Sequence, residues 1–381
     1  MREILDFCTD QHDWLIETVE ALVRLESPTT DKAAVDRCGR ELEERLRALG
    51  GRVTRIPQTA VGDHVRAEFG RGDEQILLLG HLDTVWPVGQ IARMPLARRD
   101  GCLYGPGTYD MKAGIAQAML ATWAIHETGV ALRHRTVMLW TSDEETGSGT
   151  SRQAVEREAQ QSAAVLVLEP ALHGSLKTSR KGCGMYEVTV TGVSAHAGVE
   201  PGQGASAIQE LAHQILALGE LQDLDRGISV NVGVIAGGTR INVVPERATA
   251  GVDVRVPTMD AAIRLDAAIR RLAPRDVRTR LEVTGGVDRP PMERGPAVQA
   301  LFAIAREVAA DLGRELTETG TGGGSDGNFT AAMGVPTLDG LGAAGDGAHA
   351  LHEHVILEEL PWRAALLAGL VSRIRPTRET R

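Results

Sequence analysis

The chain has 381 residues, of which 43% are hydrophobic and 24% charged, and its formal net charge is −10. That length is more than one hydrophobic core usually serves, so two domains are expected. The acidic balance argues against a general nucleic-acid surface. No stretch reaches the length of a membrane span, and MREILDFCTDQHDW lacks the basic-then-apolar pattern of a secretory leader.

In chain order, Leu15, Val19 and Leu22 recur at helical spacing over 10–25, and Val35, Cys38, Leu42, Leu46 and Leu49 do so over 31–49, before the stop at Gly50-Gly51. The runs RVTRI, HVRAEF, QILLLG, TVMLW and AVLVL follow, with a long helical pattern over roughly 110–128 between two of them. ILLL, VMLW and VLVL are nearly continuous apolar segments, the pattern of strands covered on both faces. This is α/β organisation, a mixed sheet between helices. Over 183–290 the order becomes β-α-β-β-α-β: CGMYEVTVTG, a helix in GQGASAIQELAHQILALGEL, ISVNVGVIAGG, RATAGVDVRV, a helix in TMDAAIRLDAAIRRLA, and VRTRLEVTGG. That is the ferredoxin-like unit. After Pro290-Pro291 the α/β pattern resumes, with helices near 298–312 and up to about Arg375. The expected division is 1–181 with 291–381 as one discontinuous domain, and 182–290 as an inserted one.

Polar residues collect just beyond the apolar strands, where open α/β sheets bind ligands. His81 and Asp83 follow ILLLG, Asp110 ends the loop GPGTYD, Glu144 and Glu145 follow TVMLWTSD, Glu169 follows VLVL, and His349 comes after PTLDGLGAAGDG. Any one of these alone is an ordinary turn or cap residue. A His or carboxylate at all five places points to a cation site. Mixed imidazole and carboxylate ligands suit Zn²⁺, and two metals about 3.5–4 Å apart sharing one carboxylate make a hydrolytic centre. In such a centre one of the adjacent glutamates binds metal while the other stays free as a base. Co²⁺ or Mn²⁺ would suit the same ligands.

The stretches GHLDTV, GPGTYDMKAG, TSDEETGS, VLEP, VSAHAG, TGGGSD and GAHALHEHV run through most of the chain. In type and order they resemble the co-catalytic zinc exopeptidase family that includes glutamate carboxypeptidase, acetylornithine deacetylase, succinyl-diaminopimelate desuccinylase and the aminoacylases. The resemblance implies a di-zinc catalytic domain and a lid and dimerisation domain at 182–290. It implies that His81, Asp110 and Glu169 hold one zinc, that Asp110, Glu145 and His349 hold the other, and that Asp110 bridges. Asp83 would orient the His81 ring, Glu144 would be the general base, and His196 would stabilise the oxyanion in the partner subunit of a homodimer. Gly347, His349 and Glu353 fit the family's Gly-x-His, three residues, then Glu; His352 and His354 fall off it.

The same resemblance assigns substrate contacts to Asn242 and Arg255, within INVVPERATAGVDVR, and to the glycines around Gly323; Arg240 is a weaker candidate. An Arg can grip a carboxylate through two parallel hydrogen bonds. The expected reaction is hydrolysis of an amide next to a free carboxylate, releasing a C-terminal amino acid, with N-acyl-amino-acid deacylation as the alternative. One residue departs from the pattern. Folate-cleaving glutamate carboxypeptidases carry an Arg just before TGGG, and here that position is Gly320, so glutamate selectivity is not implied. The GTGGGSDG run lacks the Lys and the strand-to-helix setting of a phosphate-binding loop. Cys8, Cys38, Cys102 and Cys183 have no CxxC spacing and read as reduced thiols of a cytoplasmic protein.

Overall fold

The computed structural model describes residues 1–132 and 134–375; the last six residues of the 291–381 segment lie outside the described residues. The chain divides into two compact units. One comprises Met1–Ser179, Arg294–Gly320 and Ser325–Arg381, the other Arg180–Glu293 and Thr321–Gly324. The second unit thus takes in the TGGG run as well as the inserted segment.

The first unit is built on a six-stranded mixed sheet, in the order Arg52–Ile56, His64–Phe69, Arg135–Thr141, Gln75–His81, Ser162–Val167, Thr337–Leu338. The first two pairings are antiparallel and the other three parallel. Every residue of Gln75–His81 is buried, which is why QILLLGH shows no alternation: both faces of this central strand are covered. Lys32–Ala48 packs on the His64–Phe69 strand and Arg152–Gln160 on Ser162–Val167. Ala113–Glu127, rich in small and apolar residues around its whole circumference, is buried along most of its length and packs against Glu359–Arg373. No helix among the described residues is long and apolar enough to cross a membrane.

Some elements differ from the sequence expectation. The helix expected from 110 begins at Ala113, because Asp110 and Met111 have non-helical backbone angles (φ −115°, ψ 94° and φ −135°, ψ 34°). A first helix, Arg2–Asp10, precedes His12–Arg24 and buries only Ile4 and Cys8, too few positions for a period to stand out. The strands Ala97–Arg99, Cys102–Tyr104 and His354–Ile356 form one small antiparallel sheet with Gly345–Asp346. Three-residue strands are shorter than any alternation a sequence can display.

The second unit is a four-stranded antiparallel sheet in the order Ser229–Gly237, Arg247–Val256, Gly182–Thr191, Arg280–Arg289. That is the strand order of a ferredoxin-like β-α-β-β-α-β unit. Arg247–Val256 alternates buried and half-buried residues, and its buried valines and alanines pack with Leu211, Leu218, Leu265 and Ile269 from the two helices. Ser229–Gly237 is an edge strand and leaves Val234 and Ile235 65–69% exposed.

Candidate metal centre

Each chemistry-bearing side chain of the first unit sits where a strand or turn ends. His81 closes Gln75–His81 and is 1% exposed. Asp110 occupies the non-helical turn ahead of Ala113, reached through Gly107, whose φ of 75° favours glycine. Its peptide bond to Met111 is cis. Beyond Arg135–Thr141 the chain makes a single 3₁₀ turn, Glu144–Thr146, so the two adjacent glutamates diverge around a helical turn. Glu169 follows Ser162–Val167 and is buried. His349 is a non-glycine residue in the left-handed region, φ 61°, a conformation that costs about 1–2 kcal/mol for an L-residue.

These residues form two groups whose ligand-type atoms all lie within 4.8 Å of one another: His81, Asp110 and Glu169, and Asp110, Glu145 and His349. His81 Nε2 is 3.2 Å from Asp110 Oδ1 and 3.3 Å from Glu169 Oε1. His349 Nε2 is 3.3 Å from Asp110 Oδ2 and 3.2 Å from Glu145 Oε2. Asp110 therefore turns one oxygen to each imidazole. His352 and His354 are not in either group; His354 stacks on Tyr104 and directs Nδ1 to the His352 carbonyl.

The electrostatics favour positive charge. Burial disfavours a charged His81, yet Asp110, Asp83 and Glu169 hold its pKa well above the usual value. Asp110 and Glu145 push His349 up to about 10. Burial opposes ionisation of Asp110, but hydrogen bonds with His349 and His81 hold it far below the usual carboxylate range. Burial raises Glu145, with Asp110 adding to the effect, and Glu145 Oε1 is buried without a hydrogen-bond partner. The donor set fits divalent cations. Two ligands bound at about 2.0–2.1 Å to a tetrahedral ion stand roughly 3.3 Å apart, the spacing found between each imidazole and its two carboxylates.

Other residues hold this frame. His81 Nδ1 lies 3.0 Å from the Asp83 backbone carbonyl and 3.5 Å from Asp83 Oδ1, so the nearer partner of the ring is main chain and not the carboxylate. Asp83 Oδ2 accepts from Thr29 Oγ1 at 2.6 Å and from the Glu145 amide at 3.3 Å, tying the two strand ends together. Glu353 accepts from the amides of Gly107, Tyr109 and Asp110 and from Trp86 Nε1; burial pushes it up to about 7. The resemblance to the family's pattern marked Glu353 but gave no sign of this role. Trp86 and Thr29 carried no sequence signal.

The remaining candidates lie in the second unit. His196 is exposed, and its Nδ1 accepts from the amides of Gly198 (3.0 Å) and Val199 (3.1 Å), which places the ring proton on Nε2. Val243, next to exposed Asn242, bridges to His196, so the two loops adjoin. Arg255 makes a two-bond pair with Asp253 (2.9 and 2.8 Å) and reaches Cys183 Sγ at 2.7 Å, leaving only part of its donor fork for a ligand. Arg240 is exposed. At Gly322 and Gly323 an added Cβ would meet no protein atom within 4 Å, whereas at Gly320, in the first unit, it would stand 2.5 Å from Ser179 Oγ. The position before TGGG thus has no room for a side chain unless Ser179 moves.

A family model described as peptidase family M20/M25/M40 matches residues 77–373. The chain is 32% identical over 380 residues to carboxypeptidase G2 of Pseudomonas sp. (strain RS-16), covering 95% of this chain and 90% of that protein. It is 29% identical over 360 residues to succinyl-diaminopimelate desuccinylase of Gluconacetobacter diazotrophicus, covering 87% and 90%. The solved aminopeptidase PepT from Bacillus cereus superposes with a TM-score of 0.79 at 23% identity, covering 95% of this chain and 98% of that one.

Proposed function

The chain belongs to peptidase family M20/M25/M40, and from that premise we propose that it is a two-zinc hydrolase that cleaves an amide beside a free carboxylate, releasing a C-terminal amino acid. It is a metallopeptidase-family hydrolase acting on amide bonds. The observation that carries the metal reading is Asp110, whose two oxygens each face a different imidazole-carboxylate group.

His81, Asp110 and Glu169 would hold one zinc, and Asp110, Glu145 and His349 the other. Bound there, the pair supplies Lewis-acid polarisation of the scissile carbonyl and lowers the pKa of a water. Glu144, half-buried on the turn beside Glu145, takes the proton from the attacking water and returns it to the leaving amine. The Asp83 segment fixes the His81 ring and its tautomer. His196 offers its Nε2 proton to the oxyanion of a neighbouring subunit's substrate. Asn242 and Arg255 read the substrate carboxylate, and the open main chain at Gly323 lets substrate approach. The exposed edge strand with Val234 and Ile235 supports a homodimer through the small domain, and the free cysteines support a cytoplasmic setting.

A second reading rests on Gly320. With Ser179 filling the space beside it, the site lacks the Arg expected of a glutamate reader, which favours an N-acyl-amino-acid deacylase. The test is a panel of dipeptides and N-acyl amino acids given to chelator-treated protein reloaded with Zn²⁺, Co²⁺ or Mn²⁺. Release of C-terminal residues from peptides supports the carboxypeptidase, and release confined to simple N-acyl amino acids the deacylase. Full activity in the chelated protein refutes the metal reading.

A further inference from the structure

Glu353 is a buried carboxylate, 1% exposed, lying four residues after His349. Its Oε1 accepts from the amides of Tyr109 and Asp110, both at 3.0 Å. Its Oε2 accepts from the Gly107 amide at 2.9 Å and from Trp86 Nε1 at 2.7 Å. Four N–H donors converge on two oxygens, and three of them are main chain from the loop that carries Asp110. Buried amides deprived of a partner lose their hydrogen bond without regaining one to water, so this loop conformation depends on the carboxylate being there.

The fold puts Glu353 at the junction of two otherwise distant segments. His354–Ile356 pairs with Cys102–Tyr104, and the Gly105 amide bonds the Glu353 carbonyl at 3.3 Å. From that seam one chain runs on through Gly107 to Asp110, and the other runs back to His349. On the His349 side the loop is equally constrained: a Cβ at Gly347 would stand 2.9 Å from the Glu353 main chain, and the Glu353 amide bonds the Ala350 carbonyl at 3.0 Å.

We propose that Glu353 is the positioning residue of the metal centre: its carboxylate is the template on which residues 107–110 fold, and it sets where Asp110 stands relative to His349. This rests on the reading that Asp110 and His349 are metal ligands. Because Asp110 belongs to both ligand groups, displacing it weakens both sites together. Loss of an ordinary ligand such as His349 weakens one.

The experiment titrates chelator-treated protein with Co²⁺, followed by visible absorption and by competition with a chelator. Wild type, Glu353→Gln, His349→Ala and Trp86→Phe are compared, with thermal unfolding of each metal-free protein as the fold control. Glu353→Gln keeps the volume but turns an amide NH₂ toward N–H donors. Both Co²⁺ affinities are expected to fall by about 10–100-fold, with an altered spectrum. His349→Ala should lose one ion and retain the other, and Trp86→Phe, which removes only the side-chain donor, should stay close to wild type. If Glu353→Gln does not fold, Glu353→Asp carries the same test, with a smaller parallel loss expected. Wild-type affinity in the Glu353 variant, a loss confined to one ion, or an equal loss in Trp86→Phe would overturn the proposal while leaving the metal reading intact. A wild-type protein that takes up no Co²⁺ would overturn the metal reading itself and, with it, this assignment.

Discussion

Glu144 and Glu145 are half-buried neighbours that differ in their place at the metal centre. Glu145 joins the His349 group with one oxygen, while Glu144 belongs to neither ligand group. Glu144→Gln is expected to leave metal uptake unchanged and to lower kcat by about 10²–10⁴-fold; metal analysis and turnover on the same sample check it. Beneath this turn lies His64, fully buried between Ser142 Oγ (2.8 Å) and Thr150 Oγ1 (3.3 Å). Burial holds its pKa below the ordinary 6.5. The neutral ring is thus the folded form, and its contribution to stability is present above pH 6.5 and lost as the pH falls through the lower folded-state value. Urea unfolding of metal-free protein at neutral and mildly acidic pH should show a smaller acid loss in His64→Asn than in wild type.

At the scale of elements, the site depends on close approaches that hold strand ends against helices. Gly114, in the first turn of Ala113–Glu127, faces the carbonyl of Leu168, the residue before Glu169; an added Cβ would lie 2.3 Å from that oxygen. Gly342 faces the same carbonyl at 2.1 Å. Gly114→Ala is therefore expected to cost about 1–3 kcal/mol by overpacking, read by urea denaturation, and to weaken metal binding by moving Glu169. The apolar runs that make the central strands were legible because burial on both faces removes alternation. The strand His354–Ile356 was not, since its three residues gain meaning only from the partner Cys102–Tyr104.

For the whole molecule, the edge strand Ser229–Gly237 and the exposed His196 carry the expectation of a working dimer. Val234→Lys with Ile235→Lys is expected to shift sedimentation from dimer to monomer and to reduce turnover sharply. Mixing inactive His196→Ala with inactive Glu144→Gln should restore activity, because one site of each heterodimer then has both groups; no recovery would place His196 outside its neighbour's site.

The sequence by itself determined the fold class and the set of polar side chains at strand ends, since both follow from local periodicity and from where apolar runs stop. The resemblance to the exopeptidase family, through its Gly-x-His pattern, marked His349 over His352 and His354. Only the tertiary structure decided that Asp110 offers one oxygen to each imidazole, that His81 is met first by a main-chain carbonyl, and that Glu353 gathers the Asp110 loop. Those contacts join residues 29 and 243 positions apart, as well as two residues apart in a chosen rotamer. Sheet order and packing set them, and neither is written in the spacing of residues along the chain.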